Sequence, residues 1–346
     1  MTSSAKLKLY KLQQTDILKT KLKTDIAIIQ SIYNQKVAEI RNLRISGKIK
    51  TQYIHYYKNQ YYKNIYMIRV KFFEELNKIN LLNSIPFQEI RTVSDKFALI
   101  VGINYLNTSN QLYGCINDAN NINKFLNSHE YKNENIVLLT DDSNIKPTKE
   151  NIINNLTKML KNSIKGDTLF FSYSGHGTNT LDLNNDELDG RDEMIMPIDF
   201  TNTKSCIIDD ELKTIIDSNL KQGVKLFMLV DSCFSGTICD LKYSYLNNTI
   251  NNKSNETSGD VICISGCLDN QLSQEAAVIN ELTTSAVGAM TFAFLNTIET
   301  KGNNISINEL IEVMRKLLAD NMYVQVVQIS SGKYIDISTT YVKEII

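Results

Sequence analysis

From Lys96 onward the chain alternates short, solidly apolar runs with amphipathic stretches. The runs are FALIVGI at 97–103, NIVLLT at 135–140, DTLFFSY at 167–173, KLFMLV at 225–230, DVICISG at 260–266 and QVVQIS at 325–330. Strands buried on both faces read in this way, so the pattern predicts a mostly parallel central sheet. Between the runs, apolar residues recur at helical spacing near 118–128, 148–163, 210–220, 286–300 and 306–319, several of these stretches opening on Asp, Thr or Ser. Strands separated by helices predict a three-layer α/β/α domain.

Upstream the pattern differs. Residues 5–82 hold no proline and no glycine except Gly47, and their apolar positions (Leu18, Leu22, Ile26, Ile29; Ile65, Ile68, Phe72, Leu76) predict two helices broken near Ser46 and Gly47. Pro86 and the polar stretch to Ser94 read as a linker. The expected organisation is a basic helical N-terminal extension over 1–90 and an α/β domain over 91–346. Within that domain the Asn/Ser/Lys-rich segment 243–258 reads as a mobile loop, separating a larger part that ends near 242 from a smaller part over 259–346.

Charge sharpens this division. Residues 1–90 carry 16 Lys and Arg against 6 Asp and Glu, and the remainder 21 against 32, so a net charge of −1 is the sum of +10 and −11. An acidic body favours basic substrates through its field. The basic arm, with tyrosines between cations from Tyr53 to Tyr66, has the composition of a surface for nucleic acid or membrane, although an amphipathic helix burying its tyrosines is the simpler reading. No apolar run reaches the roughly 18 to 20 residues of a membrane helix, and no signal-peptide core opens the chain, which leads us to expect a cytoplasmic protein. The six cysteines form no CxxC pair, and reduced thiols are expected.

In open α/β sheets, sites lie at the carboxyl ends of the strands. DTLFFSY runs into Ser174-Gly175-His176-Gly177, and KLFMLV runs into Asp231-Ser232-Cys233-Phe234-Ser235-Gly236. The chain has three histidines, and one of them stands at such a strand end between two glycines. A cysteine acts as a nucleophile in its thiolate form, and a neighbouring imidazole can take the proton and return it to the leaving amine. Cys233 and His176 suit these roles, and the amide of Gly177 suits an oxyanion hole.

YSGHG at 173–177 together with DSCFSG at 231–236 resembles a metacaspase of the type I arrangement, in the caspase-like fold. The likeness extends to FALIVGINY at 97–105, LYGCINDA at 112–119, DGRDEMIMPIDF at 189–200, CIIDDEL at 206–212 and GDVICISGCLDNQ at 259–271, so it spans about 96–340 and leaves 1–90 outside. Phe234 follows the nucleophile where the family commonly has His, and the extension lacks the Pro-rich, zinc-finger-like composition of some relatives. The resemblance implies a cysteine endopeptidase cutting protein or peptide substrates after Arg or Lys. Asp118 and Asp231 would put two carboxylates beside the substrate side chain, attracting a cation and repelling Asp, and by similarity Cys115 and Ser174 complete that pocket. For Asp118 a helix N-cap is the competing reading.

The resemblance also implies activation by Ca2+, which maps onto Asp192, Asp209, Asp210 and Asp240; the neighbouring acidic stretch Asp182 to Glu187 reads as a solvated loop. Self-processing is expected at Lys253 or Lys242, the basic residues in and just before the 243–258 segment, and the enzyme is expected to act as a monomer. Two other readings fit the same sequence: a legumain-like or gingipain-like peptidase, and a non-catalytic scaffold using the basic arm.

Overall fold

The apolar runs form strands, and the alternation of their side chains decides where the helices lie. The computed structural model describes residues 3–80, 93–182, 190–233, 236, 238–246, 249–252, 254–266, 275–280, 283–323 and 325–346. The chain divides into two compact units, Met1–Ile90 and Arg91–Ile346.

The first unit is a pair of long helices, α1 (Ser3–Asn42) and α2 (Gly47–Asn80). They meet through a narrow seam in which Val37, Ile40 and Ile65 are buried and the rings of Tyr33 and Tyr61 lie 5.1 Å apart. The tyrosines correct the sequence reading. Tyr53, Tyr56, Tyr62 and Tyr66 are exposed, and only Tyr57 and Tyr61 are half-buried. At 100° per residue these six positions wrap around α2, whereas a two-helix pair shields one face of each helix.

In the second unit come β1 (Lys96–Gly102), α3 (Cys115–Ser128), β2 (Ile136–Thr140), α4 (Lys149–Asn162) and β3 (Thr168–Ser174). Three short strands follow, β4 (Gly177–Leu181), β5 (Arg191–Ile195) and β6 (Ile207–Ile208), then α5 (Asp209–Asn219) and β7 (Lys225–Asp231). The remainder comprises β8 (Tyr243–Ser244), β9 (Thr249–Ile250), β10 (Asp260–Ser265), β11 (Glu275–Asn280), β12 (Thr283–Gly288), α6 (Ala289–Lys301), α7 (Ile307–Asp320) and β13 (Gln328–Ser331).

Among the described residues the main sheet has the order β2-β1-β3-β7-β10-β13-β8-β9. The five strands from β2 to β10 are parallel, and β13, β8 and β9 continue the sheet antiparallel. Successive residues of β1 point to opposite faces: Ala98 and Ile100 enter one core with residues of α3, α6 and α7, while Leu99 and Val101 enter the other with residues of α4 and α5. This is the expected three-layer α/β/α architecture. Thr148 caps α4 by accepting from the Asn151 amide, and Ser306 caps α7 by accepting from the Glu309 amide.

Three sequence expectations change. Residues 243–258 were expected to be a loop, but β8 and β9 form a hairpin that extends the sheet, anchored where the Tyr245 hydroxyl meets Ser331 Oγ at 2.7 Å and accepts from the Ile335 amide at 2.9 Å. The helix expected from 286 starts at Ala289, because 283–288 pairs with β11. The last apolar run enters the sheet only at Gln328; the Val327 carbonyl is occupied by the Arg315 guanidinium at 2.6 and 3.0 Å.

Candidate active site

Strands β3 and β7 are parallel neighbours, and their last paired residues are Ser174 and Asp231. His176 and Cys233 each stand two residues beyond that pair, so the sheet delivers both to one edge in the same register. The two turns are in close contact. A Cβ built on Gly177 would stand 2.1 Å from the Cys233 carbonyl oxygen and 3.0 Å from Ser232 Oγ, so this approach requires glycine. Both His176 and Cys233 are partly exposed.

A buried pair of phenols fastens the histidine's backbone. Tyr105 donates to the Met196 carbonyl at 2.6 Å and accepts from the His176 amide at 2.9 Å, while Tyr173 donates to the His176 carbonyl at 2.7 Å. Burial pushes both phenols well above the usual tyrosine range. The Tyr105 ring also lies 4.8 Å from the imidazole, centroid to centroid. On the imidazole, Nε2 is 2.8 Å from the carbonyl oxygen of Asn110. A carbonyl only accepts, so Nε2 carries the proton and Nδ1 is the basic nitrogen. Neither the tyrosine pair nor Asn110 figured in the sequence reading as a site residue.

Cys115, Asp118, Ser174 and Asp231 are all buried at the same edge. Asp118 lies in the first turn of α3, whose N-cap is Gly114, so the N-cap reading is set aside. Its carboxylate accepts from Ser174 Oγ at 2.6 Å and from the Gly288 amide at 2.9 Å to each oxygen. Asp231 Oδ2 accepts from both the amide and the hydroxyl of Thr291, each at 2.9 Å. A Cβ on Gly288 would meet Asp231 Oδ2 at 2.3 Å and Asp118 Oδ2 at 2.8 Å, so the two carboxylates face each other across that glycine. Two buried anions arranged in this way favour a cation between them.

Asp192, Asp209 and Asp240 are buried and Asp210 is half-buried. Asp192 lies on β5, whose end pairs with β6, and β6 leads directly into Asp209 and Asp210. Asp209 accepts from the Glu193 amide at 2.6 Å and from the Asp210 amide at 2.7 Å. The Cys239 thiol is held well above its ordinary value by its hydrogen bond with Cys263 and by burial, and the charges of Asp240 and Asp209 add to this. Hard carboxylate oxygens suit calcium chemically. Among the described residues, however, no three His, Cys, Asp or Glu side chains are grouped to hold a metal ion.

Cys239 and Cys263 are buried with sulfurs 3.7 Å apart. Lys242 precedes β8, its ammonium 5.9 Å from the Tyr243 ring centre and its carbonyl accepting from the Asn251 amide at 2.8 Å. Lys253, Phe234, Cys267, Asp186, Glu187 and Asp189 lie outside the described residues. No described helix is long and apolar enough to cross a membrane.

Comparison with known proteins adds an independent line. The family model for the metacaspase, peptidase C14 domain matches residues 96–242. Metacaspase-1 of Saccharomyces cerevisiae is 36% identical over 315 residues, covering 74% of this chain and 71% of that protein. Metacaspase-1 of Candida albicans is 35% identical over 307 residues, covering 71% and 67%. Among solved structures, a protein of Geobacter sulfurreducens superposes with a TM-score of 0.52 at 24% identity, over 70% of this chain and 95% of that one, a likeness of fold.

Proposed function

Because the chain belongs to the type I metacaspases, a family of cysteine peptidases with the caspase-like fold, we propose that it cuts proteins after Arg or Lys with Cys233 as nucleophile and His176 as base. The observation that carries this reading is the matched two-residue overhang beyond Ser174 and Asp231, which puts imidazole and thiol on one edge with Gly177 against the Cys233 carbonyl.

His176 Nδ1 takes the thiol proton, and the sulfur attacks the scissile carbonyl carbon to form a C–S bond. The carbonyl oxygen becomes an oxyanion, for which the Gly177 amide is the candidate donor. The tetrahedral intermediate collapses, the C–N bond breaks, and His176 returns its proton to the leaving amine. Water then attacks the thioester as His176 accepts its proton; the C–S bond breaks, and the acid product leaves a thiol restored. The Asn110 carbonyl holds the imidazole in the tautomer and orientation these transfers need. Asp118 and Asp231, with Ser174 and Cys115 beside them, receive the guanidinium or ammonium before the cut bond.

Ca2+ is part of the proposal. Asp192, Asp209, Asp210 and Asp240 would hold it, neutralising acidic oxygens that are mostly buried. Binding would favour the arrangement in which these segments are drawn together. Chelation is expected to abolish hydrolysis and added calcium to restore it; activity that survives chelation unchanged removes the metal. Self-processing is proposed at Lys253 or Lys242, and mass spectrometry of activated protein would show both bonds intact if that is wrong.

The direct test of the dyad is hydrolysis of Arg and Lys reporter peptides in millimolar calcium. Cys233→Ala and His176→Ala are each expected to lose at least about 1,000-fold in kcat/KM. A wild type no faster than Cys233→Ala sinks the proposal.

A further inference from the structure

We infer that the start of α6 assembles the basic-residue pocket, with Thr291 as a positioning residue for Asp231 and Gly288 as the residue that keeps the space between the carboxylates open. This rests on the reading of Asp118 and Asp231 as the pocket's anions. The first turn of α6 has no side-chain cap of its own, since its N-cap is Gly288. Its cap comes instead from β7: Asp231 takes up the Thr291 amide, one of the donors that a helix start leaves without a partner inside the helix. The Thr291 hydroxyl donates to the same oxygen, also at 2.9 Å, and the residue is 3% exposed. Two donors converging on Oδ2 fix the carboxylate about its Cβ–Cγ bond. They also offset the cost of placing a second anion opposite Asp118.

Gly288 acts through its shape. Its φ of −67° is ordinary for any residue, so backbone strain does not demand glycine here. Space does: a Cβ would lie 2.3 Å from Asp231 Oδ2 and 2.8 Å from Asp118 Oδ2, between the two anions. The Gly288 amide meanwhile donates to both Asp118 oxygens. One short segment therefore touches both carboxylates, although Asp118 and Asp231 come from α3 and β7 and are 113 positions apart in sequence.

The experiment is steady-state kinetics of the full chain on peptides differing only in Arg, Lys or Gln before the cut bond, with iodoacetamide alkylation of Cys233 measured alongside. Thr291→Val keeps the shape and loses the hydroxyl; its KM for Arg and Lys peptides is expected to rise about tenfold with kcat nearly unchanged. Thr291→Ser restores the wild-type KM. Gly288→Ala loses cleavage after Arg and Lys while alkylating at the wild-type rate. A role in folding alone would lower the active fraction, hence kcat, and leave KM in place; that result overturns the inference. So does Gly288→Ala cleaving normally. A wild type indifferent to Arg, Lys or Gln overturns the pocket reading and this inference together, whereas a selective wild type whose Thr291→Val variant keeps its KM overturns this inference alone.

Discussion

At the scale of single residues, the edge depends on atoms that must come close and on atoms held in place from behind. Gly177 is of the first kind. A methyl there would meet the Cys233 carbonyl oxygen at 2.1 Å, and because that oxygen is main chain the Cys233 turn must shift. Gly177→Ala is expected to lower Tm by a few degrees and turnover by about 100-fold or more, read by thermal melting and reporter hydrolysis. Tyr105 and Tyr173 are of the second kind. Their phenols are pushed far up by burial, whereas an unfolded tyrosine ionises near pH 10. The folded protein therefore binds more protons than the unfolded chain above that pH; the stability these groups lend is complete below about pH 10 and falls as pH rises further. Melting curves should show the wild-type Tm dropping steeply above pH 10, and Tyr105→Phe, lower at neutral pH, dropping less steeply. The shared position of Cys233 and His176 at one sheet edge was legible in the sequence because strand ends mark where side chains emerge. Asn110 was not: it acts through a carbonyl, which every residue has. Gly288 and Thr291 were not either, because their partners are far away in sequence.

At the scale of elements, the six buried runs and the helices between them were readable because each carries a repeating pattern long enough to exceed chance. The short strands were not. β6, β8 and β9 are two residues each, too brief to show an alternation. They nevertheless bear on the proposed self-processing. The bond after Lys242 leads straight into β8, whose Tyr243 and Ser244 are paired with β13, so the hairpin must open before a peptidase can take that bond in extended form. The Tyr245 hydroxyl holds it closed through Ser331 and the Ile335 amide. Tyr245→Phe is expected to speed cutting after Lys242 several-fold in a time course followed by mass spectrometry. A rate equal to wild type would mean that opening of the hairpin does not limit the cut.

At the scale of the whole molecule, among the described residues the two hydrophobic cores of the α/β unit are built from Phe97 and later positions. A chain starting at Arg91 is expected to fold and to hydrolyse Arg and Lys peptides within about twofold of the full chain, as judged by circular dichroism and reporter kinetics. Loss of fold on truncation would show that the helical pair stabilises the rest. The −11 charge of residues 91–346 makes a second expectation: KM for a dibasic peptide should rise as salt increases from about 0.05 to 0.5 M, more than for a monobasic one, because screening shortens the reach of the field. The matched overhang beyond Ser174 and Asp231 has a consequence for how this chain can vary. Replacing a residue in either turn leaves the step count between sheet and side chain unchanged, but inserting or deleting one moves imidazole or thiol out of register with the other by up to about 3.3 Å, the rise of one extended residue. Between each strand end and the imidazole or thiol beyond it, this edge can absorb changes of side chain far better than any change of length.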